Sequence, residues 1–416
     1  MRNLLILTPK KLVYIILFWT IISDSLVAEL GFPSSIQYLN DVVCVILLYY
    51  VFTRRFTRRF ASYGVYGLAV ILMLYIFVCY FSSVINFVDP FLVLWASRNS
   101  FRFIVFFIAC VMYLDLNDVT MIFKVLFWVQ IVSFILALYQ YYVLGYHMDL
   151  LGGIFGHGNG AALNTFQAMI YVYYLCACLE KKEAVWKLAI ILLTSLIIAA
   201  LAEEKAFFVY LIVGTAGCIL INRPSIKAVL CIAALAVLVP FGINLLGTVN
   251  EAWNLSVLTN MDSAVTYMDS SYGLSRLNPF PQINSLFFNN SIVKNLFGIG
   301  FGASENCDAS SLLTSDFFRK YYHLQYFDFT HQKKFIETGY VGCFSFVLIF
   351  VYLFIAALKN RKSFFEAKAM AVFCWIAVLS CFFSGALICN DAYIIYYGIS
   401  IVAIIEKQKC LEETAI

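Results

Sequence analysis

Residues 61–86 read ASYGVYGLAVILMLYIFVCYFSSVIN, a continuous apolar run without a charged side chain. A helix needs about 20 such residues to cross the hydrocarbon core of a bilayer, because each residue advances it by about 1.5 Å. A strand of a membrane β-barrel would alternate apolar and polar residues, and this run shows no alternation. The stretch therefore predicts a membrane-spanning helix.

The whole chain has the same character. Of its 416 residues, 63% are hydrophobic and 12% are charged, against about 25% charged residues in an ordinary soluble domain. This composition excludes a soluble globular protein, a disordered chain and a nucleic-acid-binding protein. We expect an all-α, polytopic membrane protein. The twelve predicted spans lie near residues 11–30, 38–53, 61–86, 101–116, 119–144, 161–179, 184–202, 204–222, 226–246, 334–358, 366–388 and 391–406.

These spans divide the chain into three parts. Residues 1–246 hold the first nine spans, residues 247–333 form one large loop, and residues 334–416 hold the last three spans and a tail. Lys and Arg in short loops mark the cytoplasmic side. With the amino terminus inside, 19 of the 28 basic residues lie inside and nine lie outside. We therefore predict cytoplasmic termini and an outward-facing large loop.

Polar residues of the outer side are the candidates for function. The thirteen cysteines show no spacing typical of zinc or haem, and the chain has no phosphate-binding loop or dinucleotide fingerprint. We therefore expect no metal, no cofactor and no nucleotide. All four histidines, His147, His157, His323 and His331, fall on the predicted outer side.

Arg98 and Arg102 form the first candidate site. They are four residues apart, so they share one face of a helix at the outer boundary. Each guanidinium offers a planar fork of donors that suits a phosphate or pyrophosphate. The alternative is that both side chains extend to lipid headgroups.

Two further candidates lie before the sixth and after the seventh predicted span. The segment 149–160 contains five glycines and His157, and it leads into a span whose amino terminus can hold an anion or a sugar. The alternative is a flexible connector. The hairpin Ala202-Glu-Glu-Lys-Ala-Phe-Phe208 places Glu204 and Lys205 where charges are costly unless they pair or meet a ligand. The alternative is a solvated tip in which the two neutralise each other.

The large loop and its exit supply the remaining candidates. Arg276 lies upstream of Asn295-Leu-Phe-Gly-Ile-Gly-Phe-Gly302, whose central glycine is Gly300 and which otherwise indicates only a turn. His331 stands where the loop enters the tenth span, and an imidazole can take a proton from a hydroxyl near neutral pH. The alternative is an interfacial histidine without a role. Glu337 follows and is a candidate to pair with an Arg or Lys.

The order of these motifs resembles the O-antigen polymerase (Wzy) branch of the bacterial O-antigen ligase/polymerase superfamily. The resemblance covers nearly the whole layout, with about twelve spans and one large outer loop before the last three. It is carried by GIFGHGNG at 153–160, EEKAFF at 203–208, Arg276 upstream of LFGIGFG at 296–302, and His331 upstream of ETGYVG at 337–342.

The resemblance implies a GT-C-like, metal-independent glycosyltransferase of the bacterial inner membrane that acts in lipopolysaccharide biosynthesis. Its donor and acceptor would both be glycans on undecaprenyl pyrophosphate, with membrane lipid around them. A chain-length regulator and a flippase are the implied partners. The acceptor hydroxyl would displace undecaprenyl pyrophosphate from the donor sugar with inversion.

Residue roles follow from that chemistry. The leaving pyrophosphate needs fixed cations, for which Arg276 and Lys205 are the first choices and Arg98 and Arg102 the next. His331 would be the base or a positioning residue. The ligase branch usually has His followed by Asn, whereas this chain has His331-Gln332, so His323 is an alternative base. We expect the substrate to contact the remaining candidates: His157, Glu204, Gly300, His323 and Glu337.

Two other functions remain open. One is the ligase, which transfers finished glycan to lipid A core. The other is a transporter or flippase for lipid-linked glycans, in which Asp24 and Asp41 of the first two spans would relay protons. A transporter typically has internal repeats and a binding site at the membrane midplane, and neither is evident in the sequence.

Overall fold

A computed structural model describes residues 8–53, 65–222, 273–275, 278–307 and 310–414. Within these ranges every regular element is helical, which confirms the all-α prediction. The long helices are α1 (Pro9–Leu30), α2 (Leu39–Thr53), α3 (Tyr66–Ile85), α4 (Pro90–Tyr113), α5 (Leu116–Tyr142), α6 (Gly160–Leu179), α7 (Val185–Leu201), α8 (Lys205–Asn222), α9 (Thr330–Asn360), α10 (Phe365–Phe383) and α11 (Ala392–Thr414).

Nine helical segments among the described residues are long and apolar enough to cross a membrane. The chain is therefore a membrane-embedded, polytopic helical protein. The helix α7 is apolar but shorter than these nine, and α11 is not among them. The predicted ninth span, residues 226–246, lies outside the described residues, as does the beginning of the large loop.

The start of α4 differs most from the prediction. The span predicted to begin near residue 101 begins at Pro90, because Asp89 caps the helix and its carboxylate accepts a hydrogen bond from the Phe91 N–H at 2.8 Å. Proline at the first helical position has the φ angle that the helix needs. Arg98 and Arg102 therefore lie two to three turns inside α4, and not at its entrance.

The carboxyl-terminal helices also differ from their predicted bounds. The helix α10 ends at Phe383 rather than near 388, because Ser384 is extended, and a turn leads to α11. The helix α11 continues to Thr414, beyond the predicted limit of 406. Every residue from Ala392 to Ile405 is buried, so this part of α11 is enclosed by protein on all sides. It packs against α4, α10 and α9.

Contacts between helix ends define two opposite faces of the bundle. On one face Lys10 Nζ lies 2.6 Å from Asp118 Oδ1, and Lys407 Nζ donates to the Leu114 carbonyl at 2.5 Å. We call this the lysine face. The other face carries residues 278–307 and 310–329, and there the Thr330 hydroxyl donates to the carbonyl of Ser384. We call this the loop face.

Short helices on the loop face pack onto the first turns of α9. They are Phe280–Ile283 and Ile292–Phe297, and a third short helix, Asp316–Tyr321, packs against Phe287 of the same segment. A second, smaller hydrophobic core joins them to Phe335 and Ile336 of α9, both fully buried. This packing fixes the loop segment on the bundle beside α3 and α4.

Candidate functional site

Asp41 joins Arg98 and Arg102 on the loop face. Both arginines lie on one side of α4, and Asp41 lies in the first turn of α2. The carboxylate accepts from Arg98 Nε at 3.1 Å and from Arg102 Nη1 at 2.9 Å, and Arg98 Nη2 is also bonded to it. The two guanidiniums therefore share one carboxylate, which neutralises only part of their charge.

Further contacts hold both guanidiniums in place. Arg98 donates to Asn99 at 2.6 Å and lies over the ring of Trp95 at 4.5 Å. Arg102 donates to Asn390 at 2.8 Å, in the turn before α11. The Arg102 side chain is only 8% exposed, and its Nε has no hydrogen-bond partner among the described residues. Arg102 is thus a fixed, buried cation rather than a side chain that reaches lipid headgroups.

Glu305 extends this network from α4 to α9. One of its oxygens accepts from Asn99 Nδ2 at 2.7 Å, and the other lies 2.7 Å from Lys333 Nζ. The next residue, Lys334, donates to Ser100 of α4 at 3.1 Å and is 3% exposed. A pair of lysines directly before an apolar span usually marks a membrane boundary, yet here both are engaged with α4 and its neighbours.

Glu337 lies one turn further along α9 and is fully buried. Its Oε1 accepts from Ser304 at 2.7 Å, while Oε2 has no hydrogen-bond partner among the described residues. The direct pairing with Arg or Lys that the sequence suggested is therefore absent from the described contacts, and a serine hydroxyl takes its place.

A break in α9 at Gly339 explains how the loop segment binds the helix. Gly339 has φ +63° and ψ −162°, so the helical hydrogen bonds across it are lost. The freed carbonyls of Ile336 and Glu337 accept from the N–H groups of Ile299 and Gly300, at 2.8 and 3.1 Å. The loop around Gly300 thus replaces the missing turn of α9 and carries Ser304 and Glu305 to their partners.

His331 and His323 lie in different surroundings. His331 Nδ1 is 2.7 Å from the carbonyl of Cys381, and its ring lies 4.7 Å from that of Phe382. It borders a cavity of about 70 Å³ that Lys334 and Phe280 also line. His323 lies in an exposed turn. His331 is therefore the histidine that the fold encloses on the loop face.

The glycine-rich segment packs against α1 and α5, and its last glycine lies beside Glu204. Gly156 approaches the backbone of Ser25 so closely that a Cβ would lie 2.9 Å from it, and a Cβ at Gly160 would collide with Glu204 Oε1. The amino terminus of α6 therefore faces the protein's own Glu204 carboxylate. His157 is exposed and contacts Tyr146 at 4.6 Å between ring centroids. Lys205 begins α8, is half-buried and forms no ion pair with the described residues.

Asp391 is an acidic residue that the sequence did not single out. It lies in the turn before α11, is 6% exposed, and its Oδ1 has no hydrogen-bond partner among the described residues. Burial raises the pKa of the Asp391 carboxyl well above its usual range, and the nearby charge of Asp24 acts in the same direction. This environment favours a neutral acid that can donate a proton.

The structure thus brings four of the predicted residues, Arg98, Arg102, Gly300 and Glu337, into one region. Asp41, Asn99, Glu305 and Lys333 complete the contacts there, and we call these eight residues the loop-face network. His331 shares α9 with it, whereas His157 and Glu204 belong to the glycine-rich segment, and Arg276 lies outside the described residues. No group of three or more His, Cys, Asp or Glu side chains in the described ranges is arranged to hold a metal ion.

Fold and site together define a polytopic helical membrane protein with a buried, ion-paired network at one face. Comparison with protein-family models and with curated proteins finds no match to this chain.

Proposed function

We propose that the chain is a GT-C-like glycosyltransferase of the bacterial inner membrane. It would polymerise oligosaccharide repeat units carried on undecaprenyl pyrophosphate into O-antigen or a related surface polysaccharide. The observation that supports this most is the pair of guanidiniums of Arg98 and Arg102, which share one carboxylate and of which Arg102 is buried. Charged side chains inside a membrane protein are costly, and they typically mark a substrate or ion site.

The arginine pair of the loop-face network keeps positive charge, which a pyrophosphate site needs. Its cations and carboxylates do not cancel at Arg98 and Arg102, which share the single carboxylate of Asp41. Outside the network, at the start of α8, Lys205 is a further cation without an ion-pair partner in the described residues. As the bond to the anomeric carbon breaks, negative charge grows on the leaving pyrophosphate, and fixed cations stabilise that charge without rearranging.

His331 is our candidate for the base. The Cys381 carbonyl can only accept a hydrogen bond, so Nδ1 carries the proton at that contact. In the neutral ring Nε2 is then the nitrogen that can take the proton of the acceptor hydroxyl. The hydroxyl oxygen attacks the anomeric carbon, the bond to pyrophosphate breaks, and undecaprenyl pyrophosphate leaves with the bonding electrons.

Loss of Lys205 or Arg276, the first-choice cations for the pyrophosphate, should abolish polymer formation. We expect Lys205→Ala and Arg276→Ala each to leave the protein in the membrane while the surface glycan of a complemented deletion strain falls to a single repeat unit on the core. The readout is the ladder of lipopolysaccharide bands on a gel, with membrane content measured by immunoblot. If both variants made full-length chains, the assignment of these two cations would be wrong.

His331 and His323 form a matched pair for testing the base. We expect His331→Ala to reduce chain length strongly and His323→Ala to leave it unchanged, because only His331 is enclosed by α9 and α10. The same ladders measure both. The opposite result would move the base to His323, and two unchanged ladders would remove the base role from the histidines.

The deletion strain itself separates the polymerase from its alternatives. A core capped by one repeat indicates a polymerase. Uncapped core together with accumulated lipid-linked polymer indicates a ligase, and lipid-linked units retained on the cytoplasmic side indicate a flippase.

A further inference from the structure

A polar cavity of about 360 Å³ opens on the lysine face. It lies between the turn that follows α6 and the turn that joins α9 to α10. Its volume falls within the range of about 300–1,000 Å³ that is typical of small-molecule sites. Six of its lining residues are charged: Glu180, Lys182, Arg361, Lys362, Glu366 and Lys368.

Only one of the four cations that line this cavity forms an ion pair with a described residue. Lys368 forms an ion pair with Glu180 across the two turns, and this pair closes one side. Lys182, Arg361 and Lys362 are exposed, and their side chains form no ion pair with the described residues. Three cations at the rim are therefore available to an anionic group.

Glu366 places a negative charge in the interior of the cavity. It lies in the first turn of α10, is 7% exposed and lines the cavity. Its carboxylate has a backbone hydrogen bond and lies within electrostatic reach of Lys182, but it forms no hydrogen bond or ion pair with another side chain in the described ranges. A buried carboxylate without such a partner favours a cationic group in the adjacent space.

Cations at the rim and a carboxylate in the interior favour a ligand that carries both a negative and a positive group. We propose that this cavity binds the headgroup of a zwitterionic phospholipid, with its phosphate at the rim formed by Lys182, Arg361 and Lys362 and its primary ammonium beside Glu366. The cavity lies at the ends of membrane-spanning helices, at the level where headgroups are found. Phe364 and Phe365 line it as well and add apolar surface beside the charged groups.

Competing headgroups fit less well. An anionic phospholipid without an ammonium would satisfy the rim cations but would leave its negative charge beside Glu366. A choline headgroup carries a quaternary ammonium that cannot donate a hydrogen bond to the carboxylate. Phosphatidylethanolamine supplies both the phosphate and a hydrogen-bonding ammonium.

The test measures lipid binding to the purified full-length chain by native mass spectrometry. Delipidated protein is titrated with phosphatidylethanolamine, phosphatidylglycerol and phosphatidylcholine. We expect Glu366→Gln to weaken phosphatidylethanolamine binding about tenfold and to leave phosphatidylglycerol binding equal or stronger. The double variant Arg361→Gln/Lys362→Gln should weaken the binding of all three lipids.

Lys359→Gln is the matched control, because Lys359 is an exposed cation of the same region that does not line the cavity. It should bind all three lipids as the parent protein does. The proposal is overturned if Glu366→Gln leaves the preference for phosphatidylethanolamine intact, or if the double variant binds like the control. The double variant changes only exposed side chains, so it tests the rim even if Glu366→Gln fails to fold.

Soluble phosphoethanolamine separates a lipid from a free metabolite. It carries the same two charged groups without acyl chains. We expect it to compete with the lipid only weakly, because without acyl chains it lacks the apolar contacts of the lipid with the helices. Binding as tight as that of the lipid would assign the cavity to a soluble ligand and would overturn the lipid assignment.

Discussion

Replacing Gly339 by alanine should remove more than about 3 kcal/mol of stability and detach the loop segment from α9. The φ and ψ angles of Gly339 lie in a region that is essentially restricted to glycine. A Cβ there would also lie 2.5 Å from the carbonyl oxygen of Leu296 and 2.6 Å from that of Asn295. Backbone atoms cannot rotate away, so the loop must move.

Gly158→Ala is the control for this substitution. Gly158 also has a positive φ, +80°, but a Cβ there would meet no atom within 4 Å. It therefore reports backbone strain alone, which costs about 1 kcal/mol. The measurement is the unfolding midpoint of each purified variant, together with the rate of protease cleavage at Lys294. Equal stability of the two variants would contradict the close approach of the loop and α9.

Replacing Arg102 by alanine should be the most damaging change within the loop-face network. It removes a buried cation from Asp41 and the donor from Asn390, and breaking a buried ion pair costs about 3–5 kcal/mol. We expect about 2–3 kcal/mol, because Asp41 keeps Arg98 as a partner. Polymer formation should be lost as well, since Arg102 would be one of the pyrophosphate cations.

An exposed arginine on the same face is the matched control. Arg319 lies 3.3 Å from Asp316, but its side chain is 52% exposed, against 8% for Arg102. Exposed pairs contribute about 0–1 kcal/mol, so Arg319→Ala should barely change the unfolding midpoint. The double variant Asp41→Asn/Arg102→Ala should lose less stability than the sum of the single variants. Additive losses would show that Asp41 and Arg102 do not interact.

Helices of this chain were predictable because long apolar runs leave little choice of structure in a membrane. The start of α4 was not predictable from the sequence. Without their partner Asp41, Arg98 and Arg102 have the pattern of residues at a membrane boundary. That partner, Asp41, lies 57 residues from Arg98, and Glu305 lies 206 residues from Asn99. Local spacing along one sequence carries no information about such pairings.

For some candidate residues, the sequence contained no information about the side chains that surround them in the fold. Gly300 belongs to a motif that indicated only a turn, and the partner of that turn is created by the break at Gly339. Lys333 and Lys334 looked like anchors, because their contacts with Glu305 and Ser100 exist only in the folded bundle. Burial of Asp391 depends likewise on the packing of α11 among helices far from it in the chain.

The enclosed position of α11 has a consequence for biogenesis. The helices that surround it, among them α4, α6 and α9, leave the ribosome and enter the membrane before α11 is synthesised. Until then lipid chains or loosened neighbours must occupy its place. Because Asn390 lies in the turn that leads into α11, the full set of contacts to Arg102 forms only when this helix inserts. A ribosome halted before residue 392 would thus leave an inserted but unfinished bundle, which membrane quality-control proteases are expected to recognise.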